Sequence, residues 1–277
     1  ASAGPFSRSI IGTNTTYTIS GAGATAWNFS STGSALLNGT SQYLIAPIGA
    51  STFGSGDFTA ECWFYRTSAA AGTLICNATG NADTNYWFLS VGATGTISAG
   101  IRDSAAATVS VTGSITTSIN TWVHAAVVRQ SGVCSLSVNG VFDNSATKTI
   151  TGRTTNIGSF QYTGFLEYFP GYITNVRTVT GVAVYTGNFT VPTAPLLPTQ
   201  SSGTNISAIT GSQTSLLLST PSSSFLTDYS VNNFTITNTG TATANILSPF
   251  AVTSPGITFT SFTISMTAAT AKTFAGG

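Results

Sequence analysis

Apolar and polar residues alternate along much of the chain, most regularly between residues 121 and 140, TWVHAAVVRQSGVCSLSVNG. Successive side chains of a strand point to opposite faces. Val123, Ala125 and Val127 therefore share one face, and Trp122, His124, Ala126 and Val128 the other. After Arg129-Gln130-Ser131-Gly132 the pattern resumes, with Cys134, Leu136 and Val138 on one side and Ser135 and Ser137 on the other. The Gly-bearing turn and the closing Asn139-Gly140 predict a β-hairpin. The run FTAECWFYR after Gly56-Asp57 behaves likewise. Phe58, Ala60, Cys62 and Phe64 oppose Thr59, Glu61, Trp63 and Tyr65, and a strand apolar on both faces belongs in the middle of a sandwich.

Shorter runs of the same kind occur at residues 16–19, 27–29, 35–37, 42–45, 73–77, 86–91, 96–102, 108–112, 156–159 and 171–179. Gly, Asn, Ser and Thr turns separate them, and no 3.6-residue periodicity competes. The expected class is all-β: a two-sheet antiparallel jelly-roll sandwich with extra terminal strands and very little helix. VPTAPLLP at 191–198, followed by a Ser/Gly run, marks the end of the main core, since its prolines deny ladder donors. Past it lie candidate strands at 214–218 and 233–237. A last alternating stretch, 256–266, slips by one residue between Phe259 and Phe262, where a bulge or turn is expected. The expected organisation is an arm at 1–25, a jelly roll at 26–200, a crossing segment at 201–250 and a β extension at 251–277.

Composition changes this picture mainly by what it excludes. Of the 277 residues only 5% are charged, and the net charge is +1. No basic field exists to gather nucleic acid. No apolar run reaches the roughly 20 residues of a transmembrane helix, so membrane insertion is not expected. The first residues show neither a basic nor an apolar leader region. Cys62, Cys76 and Cys134 are odd in number and sit in strand-like runs, which predicts buried free thiols and assembly in a reducing cytoplasm. A charge-poor surface favours association, and homo-oligomers are expected.

GDFTAECWFYR, TWVHAAVVR…GVCSLSVNG and GYITNVRTVTGVAVYTGNFTVPTAPL resemble laminin-G-like domains of the concanavalin A-like jelly-roll class. The last motif is similar to modules of tailed-phage virion proteins, particularly phages of cyanobacteria and other aquatic bacteria. The resemblance covers roughly residues 26–250. Many such modules open on a run like Leu216-Leu217-Leu218 followed by an Asp-x-Ser turn; here that run and Asp228-Tyr-Ser230 come after the Pro-rich segment. The segment either completes the same sandwich in permuted order or begins a truncated second module. Completion is favoured because about 50 residues bury too little to stand alone.

The resemblance implies a non-enzymatic structural protein of the phage virion, a capsid decoration, head-fibre or tail subunit assembled in the host cytoplasm and touching other virion proteins. The alternative is a carbohydrate-binding module for host-surface glycans. It also implies no organic cofactor; similar domains often hold a calcium ion at a loop rim, for which Asp83 and Asp103 are the loop candidates, but no close match to a calcium motif is visible and simple solvated loop acids are favoured.

The residues themselves disfavour catalysis. A lone His124 cannot assemble a metal cluster or activate a nucleophile in company. Glycoside hydrolysis needs two carboxylates about 5–9.5 Å apart; no two of the seven acids occupy alternate positions of one strand. Aromatic density points instead to binding. Tyr162, Phe165, Glu167 and Tyr168 lie in the richest loop, 160–170, and Tyr86 and Trp87 form a second group beside Asp83. Such rings either stack on a sugar or protein partner or fold over the end of the sandwich.

Overall fold

The computed structural model describes residues 18–19, 32–47, 49–50, 53–54, 56–77, 86–102, 108–147, 168–219, 225–250 and 264–265. In chain order the strands are β1 (Thr18–Ile19), β2 (Ser34–Asn38), β3 (Tyr43–Ile45), β4 (Phe58–Arg66), β5 (Gly72–Cys76), β6 (Tyr86–Val91), β7 (Thr96–Arg102) and β8 (Thr108–Thr116). There follow β9 (Trp122–Gln130), β10 (Val133–Val138), β11 (Val141–Thr147), β12 (Pro170–Thr180), β13 (Thr214–Leu218), β14 (Thr237–Thr239), β15 (Thr243–Asn245) and β16 (Ile264–Ser265). Among the described residues the helical content is a single turn at Gly211–Gln213. The expected runs at 27–29 and 156–159, and the slip at 259–262, lie outside the described residues.

Two compact units make up the chain: residues 1–29 with 253–277, and residues 30–252. In the first, β1 pairs antiparallel with β16, placing Thr18 opposite Ser265. The second is an antiparallel sandwich. One sheet has the order β11-β10-β9-β4-β12-β2-β15, the other β5-β6-β7-β8. The free edge of β12 is shared, its first half pairing with β2 and its second half with β13. Segment 201–250 thus contributes β13 and β15 to the large sheet, while β14 pairs with β3.

Turn chemistry explains the best-defined register. Ser131 and Gly132, then Asn139 and Gly140, all adopt positive φ, from 48° to 87°. Two such residues in a row make the turn whose twist matches a two-residue hairpin. They link β9 to β10 and β10 to β11. Strand β11, VFDNSAT, went unforeseen because its exposed edge carries no apolar alternation. The three-residue strands β14 and β15 were missed for the same reason, and the run expected at 233–237 contributes only its last residue to a ladder.

Between the sheets lies the main core. Phe58, Ala60, Cys62 and Phe64 of β4 meet Val123, Ala125 and Val127 of β9 and Leu89, Val91, Ile97 and Val111 of the smaller sheet. Each fully buried side chain of this size contributes about 1.5–3 kcal/mol relative to exposure. Cys62 and Cys134 belong to this core as free thiols, and Cys76 is buried as well. One side of the sandwich is closed by Asp143 of β11, whose Oδ1 accepts the Ser114 N–H at 2.7 Å and the Ile115 N–H at 3.1 Å from β8.

Candidate functional site

The outer face of the large sheet, turned away from the smaller one, carries the polar chemistry of the molecule. Four cross-strand rows cross it: Thr59 with Val128 and Val179 nearest the β4 N-terminus, and three beyond it that carry charged or aromatic side chains. The first of these three depends on an irregularity in β12. There the pairing passes from Thr174 opposite Trp63 to Arg177 opposite Glu61, three residues against two. The extra residue is a bulge. Asn175 sits in it with φ 51°, and its Oδ1 accepts the Leu196 N–H at 2.7 Å. Without it, the alternation begun at Tyr172 would aim Arg177 into the apolar core. With it, Arg177 emerges beside Glu61.

These side chains form a closed network. Arg177 donates from Nε to Glu61 Oε1 at 2.8 Å, and its Nη2 lies 2.7 Å from the same oxygen. Glu61 Oε2 accepts from the Tyr185 hydroxyl at 2.7 Å and pairs with His124 Nε2 at 2.9 Å. A carboxylate only accepts, so Nε2 carries the proton. Glu61, His124 and Arg177 are all fully buried. Burial alone would raise the Glu61 pKa. The Arg177 guanidinium, followed by the bonds from His124 and Tyr185, overcomes that and holds it down at about 2. Burial and the Glu61 charge push the Tyr185 hydroxyl well above its ordinary value.

What buries the network is the segment after β12, residues 181–213. Arg177 anchors it by donating to the Leu197 carbonyl at 3.0 Å and to Gln200 Oε1 at 2.8 Å. Tyr185 and Phe189 stack with centroids 3.7 Å apart. With Val184 and Ile209 they build a second apolar cluster on Ala126, Val128 and Val179. The Asn139-Gly140 turn docks the segment from the side, Gly140 accepting the Phe189 N–H at 2.8 Å.

In the middle row Trp63 is covered by His124 and by Phe250, each ring edge-on to it at 5.3 and 5.8 Å. The chain holding Phe250 in place is tied down where Ser34 Oγ donates to the Leu247 carbonyl at 2.7 Å.

The last row is different. Trp122, Tyr65, Tyr172 and Leu36 stand opposite one another across β9, β4, β12 and β2. All four are only half buried. Trp122 and Tyr172 each lie 5.6 Å from the Tyr65 ring, tilted by 61° and 78°. Beside Tyr172 is an open groove whose bank is Asn245, Ile246, Leu247, Ser248 and Phe250, with Ile246 78% exposed.

Of the residues singled out from sequence, Tyr162, Phe165, Glu167, Asp83 and Asp103 lie outside the described residues. Tyr168 is half buried, 6.2 Å from Tyr43, and its neighbour Phe169 plugs the core edge-on to Phe64. Tyr86 and Trp87 are corrected as stacking candidates, because both are buried. Trp87 faces inward against Phe53 and Phe58, and Tyr86 packs with Cys76 and Phe88 on the other face. His124 is a buried histidine paired with Glu61 through Nε2, while its Nδ1 has no hydrogen-bond partner among the described residues. The Trp122–Tyr65–Tyr172 row was not singled out from sequence. Its signal is an aromatic on the same face of three neighbouring strands; along the sequence Tyr65 reads only as part of a strand apolar on both faces.

Among the described residues no three His, Cys, Asp or Glu side chains cluster to hold a metal, and no helix is long and apolar enough to cross a membrane. A family model described as the concanavalin A-like lectin/glucanases superfamily, laminin-G type, matches residues 38–184, more than half of the chain. The chain belongs to that superfamily. Among solved structures, this superfamily member is similar to a candidate carbohydrate-binding protein from Bacteroides ovatus, 17% identical with a TM-score of 0.52 over 80% of this chain and 62% of that one. It is also similar to domain 4 of a family 43 extracellular arabinanase from Geobacillus stearothermophilus, solved with arabinotriose, at 20% identity and TM-score 0.40, covering 52% of this chain and 69% of that one. Mouse laminin alpha1 domains LG4-5 follow at 15% and 0.44, covering 53% and 41%. No curated protein matches the chain.

Proposed function

We propose that residues 30–252 form a carbohydrate-binding module whose ligand lies along the Trp122–Tyr65–Tyr172 row. The observation that carries this reading is selective exposure. Dedicated segments cover three of the four rows on the outer face, while the row richest in aromatic rings stays half open beside a groove. Rings held rigid by a sheet offer large apolar area at little entropic cost, and the C–H face of a sugar stacks on them. Membership in a superfamily of lectins and glucanases supports the class of ligand. The chemistry is contact rather than turnover. Glu61 is held ionised by its partners and offers no proton at neutral pH, and Asp57, Asp143 and Asp228 each accept backbone N–H groups.

The test is a glycan array followed by titration calorimetry on the hits. Trp122→Ala and Tyr172→Ala are each expected to weaken binding about tenfold, since one stacked ring contributes about 0.5–1.5 kcal/mol beyond its buried area. Thermal unfolding should confirm that both variants stay folded. Absence of glycan binding by the wild type, or unchanged affinity in both folded variants, would sink the proposal.

Display of this module on a phage particle is the second reading. The favouring observation is the charge-poor composition, at 5% charged residues, which suits close packing of copies, together with the motif ending in VPTAPL. Peptides of this chain missing from purified particles of its own phage would exclude it.

A further inference from the structure

Among the described residues the groove is lined by uncharged side chains, for a reason built into the fold. The arginines whose side chains are described are all buried and engaged within the protein. Arg66 donates to the carbonyls of Thr117 and Ala93, Arg129 to that of Gly56, and Arg177 to Glu61, Leu197 and Gln200. The acids whose side chains are described are used in the same way. Asp57 accepts from Ser131, Asp143 from Ser114 and Ile115, and Asp228 from Leu217, Ser230 and Phe234. Around the aromatic row, the described side chains offer rings, which carry the Tyr65 and Tyr172 hydroxyls and the Trp122 indole N–H, aliphatic groups and, on the bank of the groove, one amide and one aliphatic hydroxyl.

The two polar groups on the bank differ. Ser248 Oγ donates to Thr32 Oγ1 at 2.8 Å and accepts the Phe250 N–H at 3.2 Å, so its hydroxyl is occupied. Asn245 uses Oδ1 to accept the Leu247 N–H at 2.8 Å, which directs its amide nitrogen's two donors to other acceptors.

We propose that the ligand is a neutral glycan, read by the Trp122–Tyr65–Tyr172 rings and by Asn245 donating to a hydroxyl or ring oxygen, and that sialylated, sulfated and uronate-rich glycans are rejected. This rests on the carbohydrate-binding reading above and narrows it. Rejection follows from desolvation: a carboxylate or sulfate set against this row would lose hydration with no cation among the described residues to pair with it. Discrimination of this kind works through an uncompensated charge rather than a clash. A neutral sugar keeps its outward hydroxyls in water and loses nothing comparable.

The full chain is to be applied to an array bearing matched neutral, sialylated, sulfated and uronic-acid glycans. Salt is to be raised from about 0.01 M to about 1 M, over which the Debye length falls from about 30 Å to about 3 Å. Retention of neutral glycans alone, with affinity changing less than about twofold across that range, is expected when no ion pair is made. Binding confined to acidic glycans, or affinity that falls about tenfold or more with salt, overturns the neutral-ligand inference and leaves the carbohydrate-binding reading standing. Retention of no glycan at either salt overturns both. Asn245→Asp still accepts the Leu247 N–H but carries charge and no amide donors. It should weaken neutral-glycan binding about tenfold, the worth of one hydrogen bond and its desolvation, and unchanged affinity removes Asn245 from the site. Lys148→Gln and Arg153→Gln, cations outside the described residues, should leave affinity unchanged; loss of binding in either overturns the inference.

Discussion

Replacing Arg177 with methionine should convert the Glu61 network from a stabilising device into a buried liability. In the native protein the Glu61 pKa is about 2 against an ordinary 4.5. That depression corresponds to stability on the order of 3 kcal/mol. Because the folded value is depressed, this stability is fully present above the unfolded value and is lost as pH falls from about 4.5 toward about 2. Methionine fills comparable volume but supplies no charge, so burial takes over and the carboxyl is driven above its ordinary range. Breaking a fully buried pair this way costs about 3–5 kcal/mol. Urea unfolding followed by tryptophan fluorescence should therefore show Arg177→Met less stable by that amount at about pH 7. The gap should narrow by about 2 kcal/mol or more at about pH 3, where the wild type has lost part of its advantage and the variant's Glu61 is protonated. Arg177→Lys restores a charge but not the planar fork that also reaches Leu197 and Gln200, and should recover only part of the loss. A deficit under about 1 kcal/mol at neutral pH, or one that does not shrink in acid, would refute the account of this network.

Tyr185→Phe keeps the stack on Phe189 but removes a donor to a buried carboxylate, and should lower urea stability by about 1.5–3 kcal/mol. Asp143→Ala should raise amide hydrogen exchange at Ser114 and Ile115 while the hairpin of β9 and β10 stays protected, a loss of about 1–3 kcal/mol confined to one edge. Gly140→Ala meets a φ of 76° and would set a Cβ 2.1 Å from the Phe189 carbonyl oxygen, so the melting temperature should fall; a cost of about 1–3 kcal/mol predicts at least about 2 °C. Burial pushes the Cys134 thiol up to about 12 despite the nearby Arg129, and Cys62 is raised as well. A thiol reagent at about pH 8 should label these cysteines at the rate of unfolding, and immediate labelling of native protein would contradict their burial.

The elements most legible in the sequence were those whose register is fixed locally. Ser131-Gly132 and Asn139-Gly140 carry their turn types in their residue types, and the alternation of Trp122–Val128 and Phe58–Tyr65 assigned faces that the core reproduces. The Glu61 network was not legible. Its partners are 63, 116 and 124 residues away along the chain, and no spacing rule reaches that far. The bulge at Asn175 hid it further, because strict alternation through β12 would aim Arg177 at the core. The aromatic row shows a subtler limit. Patterning grouped Tyr65 with Glu61 and Trp122 with His124, opposite Phe64 and Val123, yet which face is the outer one, and whether it is covered, depends on where residues 181–213 and 245–250 cross it, which is a tertiary fact. Trp87 erred in the opposite direction. Beside loop-like polar residues it looked displayed, but its position on β6 turns it inward.

The pairing of β2 with β15 has a mechanical consequence. Ser34 stands opposite Asn245, and just outside that ladder the Thr32 and Ser248 hydroxyls meet at 2.8 Å. The chain therefore runs into the second unit and out of it through neighbouring points. Tension along the flanking chain would fall on this short seam and open it like a zipper, one hydrogen bond at a time from its end. The sheets behind it, with the aromatic row across β9, β4 and β12, would carry almost none of the load until the seam had parted.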